Sequence, residues 1–328
     1  MAVDVAVGRA FVQGDPARLV QVSDTDRHGR LLRTVIDMGT GIVRNDPIPT
    51  DEDVAAFYAT AYRAEYKASA RPRARQVLRN FRRVAAHLRR HAEVILPRQR
   101  VIDVGAGSGE FLFMLSALGK DARGIEPNRA YAAHCREALS LDVRTLALAP
   151  DLFPPGSADL IRLHHVLEHL NDPVRYLAMI ARWLAPGGLM WVDVPDIEAY
   201  ARTKSRGAMF HYGHVFNFCP ETLRMTARLA GLVEHASTAG QGGVGGFFEC
   251  ALEPAAHGQF HAPEVARRLR RAIEDHYAGV APVRRPVRRP VSRVAGRAEE
   301  VLRAALAAGR ADWIGRRQAM LLKRDLGL

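Results

Sequence analysis

Two kinds of residue in this chain are spaced for chemistry. Glycines stand at every second position at the end of Val101-Ile102-Asp103-Val104-Gly105-Ala106-Gly107-Ser108-Gly109, and histidines gather at His164-His165, His169 and His211-x-x-His214. Glycine lets a backbone turn sharply and lets a ligand approach the amides closely. The helix expected next, with Phe111, Leu112, Met114, Leu115 and Leu118 as its apolar side, would offer that ligand its positive N-terminal end. A dinucleotide loop, G-x-G-x-x-G, would need its third glycine at position 110, which is Glu110, and no Lys-Ser or Lys-Thr follows as in a P-loop. Neutral imidazole takes up a proton near pH 7. His164 and His165 close an apolar run, and strand ends of an open α/β sheet face a ligand crevice, so they could touch a ligand or act as general base. His211 and His214 sit in Met209–Phe218, a loop dense in polar aromatics. A histidine that only hydrogen-bonds loop backbone is the plain alternative for each.

Those residues need a scaffold. Apolar runs at 101–104, 122–126, 143–148, 158–163 and 189–194 alternate with helical stretches at 129–140 and 173–184. Strands alternating with helices predict a doubly wound α/β fold. A last pair of strands is expected at 232–237 and 247–252, joined by the glycines of 240–246. Residues 1–50 read as strand-rich, at Ala10-Phe11-Val12, Arg18–Val22, Leu31–Ile36 and Gly41–Val43. Thr50-Asp51-Glu52-Asp53 is a helix start, after which Phe57, Tyr58, Tyr62 and Tyr66 recur at helical spacing. An amphipathic helix over 73–96 puts Val77, Phe81, Val84 and Leu88 on one face and arginines on the other.

The glycine run closely resembles the cofactor loop of class I S-adenosylmethionine-dependent methyltransferases. His165-x-Leu167-Glu168-His169-x-x-Asp172-Pro173 resembles the run after that family's fourth strand, and Pro186-Gly187-Gly188 resembles its turn before the fifth. The resemblance covers about 95–252 and implies a Rossmann-like, mostly parallel seven-stranded sheet whose last strand is antiparallel. It implies S-adenosyl-L-methionine as cofactor, held by Asp103, Gly105, Gly107, Gly109, Leu148 and His164. It also gives Glu126, about twenty residues after the loop, to the two ribose hydroxyls. His214 matches a histidine of the sugar and small-molecule branch, so His214, His165 and His211 are the candidate catalytic bases. Tyr58, Tyr62 and Tyr66 would lie in helices closing over the cofactor. The related ubiquinone-pathway enzymes place a metal with E-x-x-E-H; here the run is His165-x-x-Glu168-His169, and most relatives use Leu-Glu-His structurally, so no metal is assigned. Thr25-x-x-His28-Gly29 and Asp37-x-x-Thr40-Gly41 faintly resemble C-x-x-C-G zinc knuckles without any thiolate, so zinc is not expected there either.

The 328 residues carry a formal charge of +12, with 48% hydrophobic and 25% charged side chains, enough for one core domain with additions. Nearly all basic residues are arginine, which fits solvated basic faces, with an anionic membrane surface, an acidic substrate or nucleic acid as the alternatives. Three scattered cysteines, no secretory leader and no apolar run of about 18 residues point to a cytoplasmic protein. The expected organisation is a β-rich segment (1–50), a helical cap (51–97), a methyltransferase core (98–253) and a basic helical extension (254–328). Two stretches, 262–277 and 294–322, form that extension around an Arg-Pro linker. It could pack, join copies into a homo-oligomer or touch an anionic membrane. The leading reading is methyl transfer to a small polar acceptor such as a sugar, glycan or lipid precursor. An RNA methyltransferase, a non-catalytic relative and an NAD(P) oxidoreductase are the alternatives. No Asp/Asn-Pro-Pro-Tyr follows the fourth strand, and no Pro-Cys nucleophile appears, as base methylation would need.

Overall fold

The computed structural model describes residues 5–54, 56, 74–238, 243–253, 261–280 and 311–328. Its strands are β1 (Leu19–Thr25), β2 (Leu31–Asp37), β3 (Val43–Asn45), β4 (Arg100–Val104), β5 (Asp121–Ile125), β6 (Asp142–Arg144), β7 (Ala158–His164), β8 (Leu184–Pro195), β9 (Phe216–Asn217), β10 (Leu232–Ser237) and β11 (Gly243–Cys250). Helices named below are α1 (Val5–Gln13), α2 (Ala74–Arg90), α3 (Ala92–Ile95), α4 (Glu110–Ala117), α5 (Arg129–Leu139), α6 (Pro173–Ala181), α7 (Ile197–Thr203), α8 (Pro220–Leu229), α9 (Pro263–Ala278) and α10 (Ala311–Leu326).

Seven strands form one sheet in the order β10-β11-β8-β7-β4-β5-β6. β4, β5 and β6 pair in parallel, while β11 runs antiparallel to both β8 and β10. This is the mostly parallel, doubly wound sheet that the alternating pattern predicts. Chain contacts divide the molecule into two compact units. One comprises Lys67–Arg162, Trp183–Gly188 and Val287–Leu328; the other comprises Met1–Tyr66, Leu163–Arg182 and Leu189–Pro286.

In the first unit, Val101, Ile102 and Val104 of β4 are buried, as a strand covered on both faces requires. Phe111, Leu112, Phe113, Met114 and Leu115 make α4 apolar nearly all round, and they are buried too. α10 lies close to α4: a Cβ on Gly315 would stand 2.3 Å from Phe113 Cε1. Ile314 and Leu322 of α10 are fully buried, and Asp325 pairs with Arg89 of α2 at 2.6 Å. The single helix expected over 73–96 breaks at His91 into α2 and α3. The third strand is also shorter than expected. It stops at Arg144, which leaves Leu148 in irregular chain.

In the second unit, β1, β2, β3 and β9 form an antiparallel four-stranded sheet. The two knuckle-like turns are held by aspartates. Asp26 accepts the amides of His28 (2.8 Å) and Arg30 (2.9 Å) and the Arg30 side chain. Asp37 accepts the amides of Gly39 (2.7 Å) and Thr40 (3.2 Å). β9 belongs to the loop that carries His211 and His214, and it reaches this sheet through Val43↔Asn217 and Arg44↔Phe216. Three more bonds reinforce the junction: Arg27 N–H to the Phe210 carbonyl (2.7 Å), Asn45 N–H to the Val215 carbonyl (2.9 Å) and Asn45 Nδ2 to the Tyr212 carbonyl (3.1 Å).

The expected first strand at Ala10-Phe11-Val12 is instead part of helix α1. A short apolar run fits a buried helix as well as a strand. Here α1 packs Gly8 directly against Val174 of α6 and ends at Gly14, at φ +73°. The helix start at Thr50 is formed as read: Asp53 N–H donates to Thr50 Oγ1 (3.1 Å) and Thr50 N–H to Asp53 Oδ2 (2.9 Å). Tyr58, Tyr62 and Tyr66, like the Arg-Pro linker, lie outside the described residues.

Candidate active site

The glycine turn belongs to the first unit. Gly105, Gly107 and Gly109 all have positive φ, at 73°, 57° and 82°, a region closed to most side chains at low cost. Their surroundings differ. A Cβ on Gly109 would meet Cys135 Sγ and Leu141 Cδ1 at 2.8 Å, so this glycine seats the turn on α5. A Cβ on Gly107 would meet nothing within 4 Å. The amides of Gly105 and Ala106 donate to the Ile125 carbonyl at 2.9 and 3.0 Å, tying the turn to the end of β5.

Glu126 follows β5 and is 8% exposed. Its Oε2 accepts the Gly107 amide at 2.7 Å and its Oε1 the Asn128 amide at 2.8 Å. A carboxylate only accepts, so both bonds run from amide to Glu126. Asp103 lies deeper. It is fully buried and paired with Arg162 Nη1 at 3.2 Å through both oxygens, and the Arg162 guanidinium lies 4.3 Å from the Phe111 ring centroid. Burial, set against the neighbouring guanidinium, pushes the Asp103 carboxyl above its usual range. Ser108 Oγ donates to Glu110 at 2.7 Å, and Asn80 of α2 donates to the same carboxylate at 3.3 Å. Cys135 Sγ donates to the Gly107 carbonyl at 3.4 Å, and burial and the nearby carboxylates hold its thiol far above the usual range.

The histidines belong to the second unit, and there Glu168 is their common partner. It is 1% exposed, in a short turn after β7. Its Oε1 lies 3.2 Å from His165 Nδ1, 3.8 Å from His169 Nε2 and 4.0 Å from His214 Nε2. His169 Nδ1 bonds the Gly213 carbonyl. A carbonyl only accepts, so Nδ1 carries the proton and Nε2 faces the carboxylate. The His211 ring centroid stands 3.7 Å from that of His214. Burial and the Arg27 charge lower His211 to about 3, and burial with neighbouring imidazoles lowers His214 well below 6.5.

The candidate bases therefore differ in access. The His165 side chain is 46% exposed, that of His214 only 9%. His165 has φ +56°, and its amide donates to the Asp193 carbonyl at 2.9 Å. His164 turns elsewhere, with Nδ1 3.5 Å from Asp193 Oδ2. Asp193 also accepts Thr238 Oγ1 at 2.7 Å. Its side chain has room only because position 245 is glycine, where a Cβ would stand 2.0 Å from Asp193 Oδ1. Leu148 is half-buried. Sequence reading missed Asp193, Thr238, Asn80 and Arg162. Arg162, a cation inside an apolar strand, was the one visible signal among them.

A family described as "Methyltransferase domain" matches residues 71–235. A ubiquinone biosynthesis O-methyltransferase of Methylococcus capsulatus is 32% identical over 119 residues, covering 33% of this chain and 49% of that protein. A trans-aconitate 2-methyltransferase of Methylobacterium radiotolerans is 29% identical over 186 residues, covering 56% and 64%. This chain thus spans half to two thirds of the length of these two relatives. Among solved structures, a 1,6-didemethyltoxoflavin-N1-methyltransferase of Burkholderia thailandensis aligns with a TM-score of 0.48 and 19% identity, covering 64% of this chain and 95% of that one. With residues 71–235, half its length, matched by that family, the chain belongs to the methyltransferase-domain family, that of the class I S-adenosylmethionine-dependent methyltransferases.

Proposed function

We propose that the protein methylates a small polar acceptor using S-adenosylmethionine. The observation that carries this reading is the glycine turn with open space over Gly107 and the Glu126 carboxylate on the Gly107 amide. The turn fits that cofactor. It offers backbone approach without a phosphate cradle, and it sets beside that approach a carboxylate, the group suited to adjacent hydroxyls. Gly105, Gly107 and Glu126 would hold it. Asp103, buried on Arg162, fixes the strand end from below. The relatives named for ubiquinone biosynthesis and for trans-aconitate support a small-molecule acceptor.

When bound, the cofactor supplies an electrophilic methyl group on a sulfonium. The protein must then orient the acceptor and remove its proton. His165 is the residue best built to take it. Its Nδ1 is turned to Glu168 and its ring is the most exposed of the three candidate bases, so Nε2 receives the proton while Glu168 steadies the resulting imidazolium. His211 and His214, buried and held neutral, shape the same cluster.

Calorimetry with S-adenosylhomocysteine tests the cofactor assignment. The unaltered chain should bind it, and Glu126→Ala should lose about 1.5–3 kcal/mol, the range for hydrogen bonds to a charged group. Tight NADH binding without S-adenosylhomocysteine binding would overturn the reading. So would unchanged affinity in Glu126→Ala, for the role of that carboxylate.

A further inference from the structure

We propose that Arg27 and Lys204 form a binding site for an anionic group, a carboxylate or a phosphate, and that the acceptor carries this group. The inference rests on the methyl-transfer reading above and names the class of its acceptor. Both cations belong to the second unit, as do Tyr200 and the loop of His211 and His214.

The turn that carries Arg27 is closed on itself. Asp26 N–H donates to the Arg30 carbonyl at 2.8 Å and Gly29 N–H to the Asp26 carbonyl at 2.9 Å, while the Asp26 carboxylate takes the His28 and Arg30 amides. The Arg27 amide leaves the turn and donates to the Phe210 carbonyl at 2.7 Å, next to His211. Arg27 Nε donates to His28 Nε2 at 3.1 Å, which fixes the side chain as well. This is the knuckle-like turn at Thr25-x-x-His28-Gly29. Without thiolates, it sets an arginine against the histidine loop. Lys204 comes from a separate segment, directly after α7. Its Nζ stands 4.2 Å from the Tyr200 ring centroid. Among the described residues no carboxylate stands within ion-pair distance of Lys204. The charge that acts on it is a second cation, Arg27, and burial together with that charge lowers its pKa.

Both side chains are half-buried. Two cations that repel each other and have lost part of their hydration are relieved together by one anion. The Arg27 charge reaches the histidine cluster too. It acts on His211 and His214, and on Tyr200, whose hydroxyl burial and the Glu168 charge push up to about 12. Tyr200 is thus a protonated donor at neutral pH in the same group of residues. The side-chain types select the ligand. A guanidinium is always charged and forks onto carboxylate or phosphate oxygens, and an ammonium adds a compact point charge. An uncharged acceptor would leave both cations uncompensated.

The test uses the full chain, saturated with S-adenosylhomocysteine and titrated by calorimetry with malonate, inorganic phosphate and malonamide, which has the shape of malonate without its charge. Saturable binding of an anion and none of malonamide is expected, weakening as salt is raised. Whether malonate or phosphate binds more tightly tells a carboxylate site from a phosphate site. Arg27→Gln and Lys204→Gln should each weaken binding at least about tenfold, the size of one hydrogen bond to a charged group, while Lys204→Arg retains it. Lys204 lies past the last turn of α7, so Lys204→Gln should keep the melting temperature and the S-adenosylhomocysteine affinity of the unaltered chain. NMR spectra of the unaltered chain require no variant to fold, and the His211 ring signals should shift as the anion binds. Four results would each overturn the proposal: neither anion binding saturably, malonamide binding equally well, His211 signals that do not move, or variants with unaltered affinity. A chain that binds S-adenosylhomocysteine but neither anion would lose this site and keep the methyltransferase reading. One that binds an anion but not S-adenosylhomocysteine would lose that reading, and with it the acceptor.

Discussion

His165 combines two features that seldom meet without cause. It is a non-glycine residue in left-handed conformation, which costs about 1–2 kcal/mol, and its ring is aimed by a buried carboxylate. The strain is tolerable because the amide is fixed on Asp193 and the ring on Glu168. Asparagine accepts this backbone conformation but cannot take up a proton. His165→Asn should therefore keep its melting temperature and its S-adenosylhomocysteine affinity, while turnover falls about 10²- to 10⁴-fold. Wild-type turnover in that variant would end the case for His165 as base. The sequence marked the histidines at a strand end and in a loop, because residue type and position are local properties. It could not rank them, because access depends on packing between segments about fifty residues apart. His214, expected as a base from the resemblance alone, has a side chain only 9% exposed.

At the scale of elements, the strand–turn–helix of β4 and α4 is where local pattern and tertiary packing agree. The glycines of that turn nevertheless do different things, and substitution should separate them. Gly109→Ala drives a Cβ into Cys135 and Leu141, so it should cost about 1–3 kcal/mol and lower the melting temperature. Gly107→Ala meets no protein atom, so its larger effect should be on S-adenosylhomocysteine affinity. If Gly107→Ala binds as tightly as the unaltered chain, the open space above it is not the ligand's approach. β4, β5, β7 and β10 stand close to where alternation placed them. α1 does not, because nine residues of mixed small and apolar type carry no decisive period, and only packing on α6 settled the matter. The short β6 is similar. Apolar residues continue to Leu148, but hydrogen-bonded pairing with β5 ends at Arg144.

For the whole molecule, the +12 charge is what 47 basic residues leave over 35 acidic ones, several of which are paired with arginine. Arg100 grips Asp159 through both sides of the guanidinium and holds its carboxyl below the usual range. In the other unit burial pushes Asp26 up, but Arg30 and two amides outweigh it and hold that carboxyl low as well. A carboxyl whose folded pKa is depressed contributes stability above its unfolded value, near about 4, and loses it as pH falls through the folded value. Asp159→Asn and Asp26→Asn should thus lower the melting temperature at neutral pH, change little in strong acid, and so flatten the acid limb of a plot of melting temperature against pH. An unchanged acid limb in both would show that neither pair governs acid unfolding. Among the described residues no helix is long and apolar enough to cross a membrane.

The pairing of β9 with β3 bears on modularity. The family match begins at residue 71, yet the loop that carries His211 and His214 is stitched by backbone and side-chain bonds to residues 27, 43, 44 and 45. The matched stretch is therefore not a transplantable cassette. A chimaera cut at its boundary would carry the glycine turn across whole but would leave the histidine loop without β3, the strand that β9 pairs with. The geometry of the histidine loop in this chain should be inherited together with the first fifty residues.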